Sequence, residues 1–185
     1  MIIGVTGTLG SGKGSVTEYL VSKGFKQLAV SDTFLAGEAI RRGLVPDRIT
    51  RRDIANEYRA EGPTKLMEAV YEMARTDFEA GENVVLDPQH TVAEVRFIQD
   101  KGGIVFGVDA AIETRYERIK KRGSAKDSVS FEEFQKEQQH EMASADPNKN
   151  NLGAALAAAD YHIENNGTLE ELHQQIDQVL ANLSQ

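Results

Sequence analysis

The chain has no cysteine, no tryptophan and only four prolines, and aromatic side chains make up 6% of its 185 residues. Without thiols it can hold neither disulfides nor thiolate metal sites, a usage that fits a reducing compartment, so a cytoplasmic location is expected. No run approaches the roughly 18 apolar residues that would span a membrane. The first residues lead straight into an apolar, strand-like run rather than a basic leader, so neither a membrane partner nor a secretory signal is expected. Positive charge is also in deficit: 21 Lys and Arg against 29 Asp and Glu leave a formal charge of −8. That balance argues against a general nucleic-acid-binding face. The deficit is uneven. Residues 41–59 hold six arginines (Arg41, Arg42, Arg48, Arg51, Arg52 and Arg59) against three acids, a local surplus of +3.

What is present is a one-domain chain with 40% apolar residues, enough for a core. Short apolar runs at Ile2–Val5, Gln27–Val30, Asn83–Leu86, Ile104–Val108 and Tyr161–Ile163 read as strands. They are nearly continuous rather than alternating, as parallel strands covered on both faces should be. Amphipathic helical patterns lie between them, marked by Val16, Tyr19 and Leu20, by Leu66, Val70 and Met73, and by Ile112, Tyr116 and Ile119. The last carries Leu169, Leu172, Ile176, Val179, Leu180 and Leu183 behind Thr168 and Glu171, a capping box. Strand–helix alternation of this kind implies an α/β fold: a five-stranded parallel sheet with right-handed crossovers and helices on both faces. Polar residues 123–150 read as a helix, with Phe131 and Phe134 inward, flanked by loops: a short lid.

The stretch "GTLGSGKGS", Gly7 to Ser15, fits G-x-x-x-x-G-K between a strand and a helix. Glycines let successive N–H groups converge on an anion above a helix N-terminus, and Lys13 adds a charge that can follow the β- and γ-phosphates. Gly7, Thr8, Leu9, Gly10, Ser11, Gly12, Lys13, Gly14 and Ser15 are therefore the candidate ATP-binding residues. Gly14 stands where such loops carry the Mg²⁺-holding hydroxyl, and Ser15, one residue later, is a secondary metal candidate. Asp87 closes the hydrophobic run "NVVLD" and is the leading candidate to support Mg²⁺ through water; the competing reading is a turn before Pro88. Asp32 follows the second strand at the carboxyl edge of the sheet, where ligands bind, and could equally cap a helix starting at Thr33.

"GTLGSGKGS" followed by "SDTFLAGEAIRRG" (31–43) resembles the adenylate kinase branch of the P-loop nucleoside monophosphate kinases. "LDPQHTVAEVRF" (86–97) and "ADYHIENNGTLEEL" (159–172) look more like dephospho-CoA kinases and the related archaeal adenylate-kinase-like proteins. The resemblance implies a P-loop NTPase fold and transfer of the γ-phosphoryl of ATP, with Mg²⁺, to a small nucleotide. A nucleoside monophosphate is the first expectation, dephospho-CoA the alternative; a nucleotide-binding regulatory protein with weak ATPase activity is the reading from another class. It divides the chain into a core (1–31, 83–122 and 151–185), an acceptor-binding segment (32–66) and a lid (about 123–150), in a monomer or homodimer.

It also assigns roles. Asp32 would orient or help deprotonate the acceptor. The family's acceptor-site Leu-Arg is here Leu35-Ala36, so Arg41 or Arg42, with Arg59, would grip the acceptor phosphate, unless the arginine group is simply a solvated face. "RYERIKKRG" looks like the lid-entry helix, so Arg118 and Arg122, in a stripe with Arg115, would join Lys13 as catalytic residues. The relatives' lid arginine has no counterpart; Lys136 is the only cation in "EEFQKEQQHE". The loop Asn165–Gly167, with Asn166 as the chosen contact, would meet adenine or be a plain turn. Of four histidines only His90 falls near these candidates, and none shows metal-ligand spacing.

Overall fold

A computed structural model describes residues 1–122, 130–142 and 151–183. Five strands form one sheet: β1 (Ile2–Gly7), β2 (Lys26–Ala29), β3 (Val84–Gln89), β4 (Ile104–Asp109) and β5 (Tyr161–Glu164). Every pairing is parallel and the order is β2-β3-β1-β4-β5, so β1 lies at the centre, where the winding direction reverses. All five expected strands are found. The second ends at Ala29 instead of Val30, because a π-helical segment, Val30–Leu35, takes over there.

The helices are α1 (Lys13–Ser22), α2 (Ala36–Arg41), α3 (Arg48–Glu61), α4 (Lys65–Met73), α5 (Arg75–Glu79), α6 (Val92–Asp100), α7 (Ile112–Arg122), α8 (Phe131–Met142), α9 (Leu152–Ala157) and α10 (Leu169–Leu183). They cover both faces of the sheet. Val84, Leu86 and Val105 meet α3, α4, α6 and α9 through Ile54, Leu66, Met67, Val70, Val95, Ile98 and Ala155. Ile3, Val5, Val85, Phe106 and Val108 meet α1 and α10 through Val16, Leu20, Leu172 and Ile176. Successive strand residues thus enter opposite cores, which is why the strands lack polar alternation. Among the described residues no helix is long and apolar enough to cross a membrane.

Local signals end the helices where chemistry requires. Thr168 and Glu171 exchange hydrogen bonds as a capping box, and Thr91–Glu94 and Ser130–Glu133 do the same. Two apolar expectations shift by a turn: Met67 is buried while Met73 is exposed, and Leu169, at the first position of α10, is 60% exposed. The helix expected within residues 123–150 is present as α8. Phe134 is buried and Phe131 half-buried against Tyr116 of α7, which holds the helix to the core. The loops expected to flank it, 123–129 and 143–150, lie outside the described residues. Asp32 caps no helix; it lies within the π-helical segment, whose preceding residue is Ala29.

Candidate active site

The turn from β1 into α1 sits at the carboxyl edge of the central strand, beside the ends of β3 and β4. Two of its glycines are sterically required. A β-carbon on Gly7 would lie 2.2 Å from the carbonyl oxygen of Val108, and one on Gly12 would lie 2.2 Å from Nδ2 of Asn165. Gly12 also has φ 96°, a left-handed conformation that side chains resist. The first hydrogen bond of α1 runs from Val16 N–H to the Gly12 carbonyl. Helix geometry gives the first-turn amides of Gly14 and Ser15 no carbonyl four residues back within the helix, and they gather at its N-terminus, an arrangement suited to phosphate. Ser11 Oγ is buried there without a partner among the described residues.

Lys13 folds back over the turn and donates from Nζ to the carbonyls of Gly7 (2.8 Å) and Thr8 (2.9 Å). Leu9 and Gly14 are exposed, and Ser15 is half-buried in the first turn of α1. The outer side of the turn is fastened to its surroundings. Thr8 Oγ1 donates to Asp109 (2.6 Å), Asn165 Nδ2 donates to the Ser11 carbonyl (2.8 Å), and Arg118 donates to that carbonyl and to Asn165 Oδ1 (3.4 Å each). Arg115 is buried; it donates to the carbonyls of Ala110 (3.0 Å) and Leu9 (3.4 Å) and to Gln138 of α8.

The arginine stripe thus divides by position. Arg115 supports the turn and α8, Arg118 reaches the turn itself, and Arg122 is exposed at the end of α7. Asn166 turns its side chain to the Ala111 amide (2.7 Å), while its neighbour Asn165 touches the glycine turn.

Across from the turn, Asp87 ends the pairing of β3 with β2 and accepts a hydrogen bond from Thr17 Oγ1 at 3.2 Å. Burial pushes its carboxyl above the usual range. Lys13 and the Thr17 hydroxyl pull it partly back, and the nearby Asp32 adds to the rise. A divalent cation would relieve that charge. Among the described residues no group of three or more His, Cys, Asp or Glu could hold a metal alone. The residues therefore fit an ion carried by nucleotide phosphates and steadied by one carboxylate, the usual habit of Mg²⁺.

The segment expected to bind the acceptor, 32–66, differs from that expectation at Arg59. Arg59 is buried and pairs with the buried Glu94 at 2.9 Å, with side chains 7% and 1% exposed. Glu94 also accepts from the His90 amide (2.7 Å) and caps α6. Removing Arg59 from this buried pair would strand the Glu94 charge, so Arg59 is an anchor between α3 and α6, not a phosphate grip. Arg41 and Arg42 both lie on Glu38, and Arg42 reaches Glu57 as well (2.5 Å). Arg41 and Arg42 are themselves exposed, while the Glu38 side chain that they share is only 10% exposed. Arg51 instead pairs with Asp32 and so reaches the sheet edge near Asp87.

His90 is held by its backbone, its amide on Glu94 and its carbonyl accepting from Asn151. Its Nδ1 is buried without a partner among the described residues. Burial, with Arg59 and Lys13 nearby, holds the ring neutral with a pKa of about 3.

The sequence reading thus brought Lys13, Asp32, Asp87 and Arg118 to one edge of the sheet. Thr17 was not foreseen, while Arg51 had been named only as one of six arginines and Asn165 only as the first residue of the loop Asn165–Gly167. Thr17 stands four residues after Lys13, one turn along the same helix, and that spacing was the available signal.

The AAA domain family matches residues 3–143. A UPF0200 protein of Pyrobaculum aerophilum is 33% identical over 185 residues, covering 98% of each chain. Among solved structures, a dephospho-CoA kinase from Campylobacter jejuni superposes with a TM-score of 0.60 at 16% identity, over 99% of this chain and 96% of the other. A shikimate kinase from Aquifex aeolicus gives 0.57 at 16% identity, over 100% and 98%. At such identities the likeness establishes the fold: a five-stranded parallel sheet with helices on both faces, as in P-loop kinases.

Proposed function

The chain belongs to the AAA domain family and to the UPF0200 proteins, and from that premise we propose that it is an ATP-dependent phosphotransferase whose acceptor is a small nucleotide. The observation that carries the reading is the juxtaposition of two half-sites on one sheet edge. The glycine turn with Lys13 supplies an anion cradle, and Asp87, tied to α1 through Thr17, supplies one carboxylate facing it. Beyond Asp87 stands the Asp32–Arg51 pair.

In this account the turn amides and Lys13 hold the phosphates of ATP. Mg²⁺, when bound with the nucleotide, offsets phosphate charge, and Asp87 holds its water shell, with Ser15 a second hydroxyl nearby. Phosphoryl transfer asks mainly for positioning and charge stabilisation, which Lys13 and Arg118 provide. Asn166, beside Asn165, borders the end where adenine would lie. Arg51 exchanges Asp32 for the acceptor's phosphate, with Arg41 and Arg42 in a second ring. A nucleoside monophosphate suits this arrangement.

A second reading has its own support. Arg59 is locked by Glu94, and Arg41, Arg42, Arg51 and Arg52 already face carboxylates. A hydroxyl acceptor such as dephospho-CoA would need Asp32 as its base rather than a cluster of open arginines. A panel of nucleoside monophosphates and dephospho-CoA, assayed for acceptor-dependent ADP formation, separates the two. ADP formation that no acceptor accelerates would return the protein to the class of nucleotide-binding switches with weak hydrolysis.

A further inference from the structure

The carbonyl and N–H of one trans peptide point in opposite directions, so fixing a carbonyl on one side of a loop aims the next amide to the other side. In the phosphate turn this applies to the Ser11–Gly12 peptide. Its carbonyl is taken by Asn165 Nδ2 at 2.8 Å and by Arg118 at 3.4 Å. Asn165 is itself buried, and its amide donates to the Asp109 carbonyl at 2.8 Å, the last residue of β4. Its Oδ1 accepts from Arg118. The space it occupies is the space a β-carbon on Gly12 would take. Asn165 thus meets the loop through side chain, backbone and shape at once, from an element more than 150 residues away in sequence.

We propose that Asn165 is a positioning residue of the phosphate site: its carboxamide turns the Ser11 carbonyl outward and so points the Gly12 amide at the bound phosphate, while fixing Arg118 beside the loop. This rests on the reading of the glycine turn as a nucleotide-phosphate site. It differs from a contact with adenine, which is what the neighbouring Asn166 was expected to make. A positioning role predicts loss of affinity for the phosphate part alone; a base contact predicts loss only when the base is present.

The test is calorimetric titration of the whole chain with pyrophosphate and, separately, with ADP. Asn165→Ala removes the donor. Asn165→Asp keeps the shape and the partner of Arg118 but turns an acceptor against the Ser11 carbonyl. Both variants should lose at least tenfold in affinity for pyrophosphate and by a similar factor for ADP, with ligand-free melting close to wild type. Pyrophosphate affinity within twofold of wild type in a folded variant overturns the proposal, whether or not ADP affinity falls. A readout that needs no variant is the ¹⁵N–¹H signal of Gly12, which should move downfield in the proton dimension when wild type is saturated with pyrophosphate. A Gly12 signal that stays in place while pyrophosphate binds overturns the proposal as well. Failure of wild type to bind either ligand would instead remove the phosphate-site reading on which the inference stands.

Discussion

Thr17 of α1 donates its hydroxyl to Asp87 near the end of β3, 3.2 Å away, and so ties the helix behind the glycine turn to a carboxylate across from it. The pair spans 70 residues of sequence and crosses from the central strand's helix to the neighbouring strand. Because burial dominates at Asp87, its folded pKa lies above the unfolded value. A raised carboxylate pKa means that ionisation opposes folding at neutral pH and that this penalty is relieved as pH falls.

Asp87→Asn should therefore raise the melting temperature of the ligand-free protein at pH 7 while removing most of the extra stabilisation that Mg²⁺ adds to ATP. The loss of activity should be about a hundredfold, the scale of one preorganised electrostatic contact. Melting curves with no ligand, with ATP plus chelator and with MgATP check it. Unchanged Mg²⁺ dependence in the variant would take Asp87 out of the ion's surroundings.

The Arg59–Glu94 pair predicts a contrast between arginines of one segment. Arg59→Ala leaves a buried carboxylate without its cation and should cost about 3–5 kcal/mol in urea unfolding. Arg41→Ala, at an exposed residue, should fall within about 0.5 kcal/mol of wild type. Adding Glu94→Gln to Arg59→Ala should recover part of the loss, since the glutamine carbonyl can still accept from the His90 amide. No recovery would mean that Arg59 acts through packing rather than charge.

His90 gives the pH dependence. Its folded pKa of about 3 lies below the ordinary value of 6.5, so the neutral ring is the form the fold accepts. The contribution is fully present above pH 6.5 and is lost as pH falls toward 3. Stability measured from pH 8 to pH 4 should decline on the acid side, and His90→Gln should flatten the part of that decline below pH 6.5. A parallel decline in the variant would assign the acid sensitivity to other groups.

Arg51→Ala tests the acceptor side. Charged hydrogen bonds contribute roughly 1.5–3 kcal/mol each, so the acceptor's KM at saturating ATP should rise about tenfold or more. The KM for ATP should hardly change. Arg41→Ala should move neither by that amount. An unchanged acceptor KM in Arg51→Ala would favour the hydroxyl-acceptor reading, in which Asp32 works without it.

The five strands and their parallel pairing were legible because apolar runs of three to five residues between amphipathic helices leave few alternatives. The glycine turn between β1 and α1 was legible because its spacing reflects local backbone geometry. What could not be read was long-range partnership. Arg59 looks like its neighbours in sequence, and only the approach of α6 with Glu94 makes it an anchor. Asn165 and Asn166 are adjacent and chemically identical, yet one meets Ser11 and the other Ala111. Asp32 carried a helix-cap reading because Thr33 opens a helical pattern; the π-helical segment that begins at Val30 replaces that cap.

The central claim, that the glycine turn delivers a phosphoryl group to a small nucleotide, is tested most directly by ³¹P NMR of MgATP with each acceptor in the panel. The account predicts that the γ-phosphorus of ATP reappears on the acceptor: as a coupled doublet of a new diphosphate for a nucleoside monophosphate, or as a phosphomonoester singlet for dephospho-CoA. It also predicts that Lys13→Ala, which removes the cation folded over the turn, abolishes that signal while melting near wild type. Phosphorus appearing only as inorganic phosphate, at a rate no acceptor changes, would contradict the account, and so would undiminished transfer by Lys13→Ala.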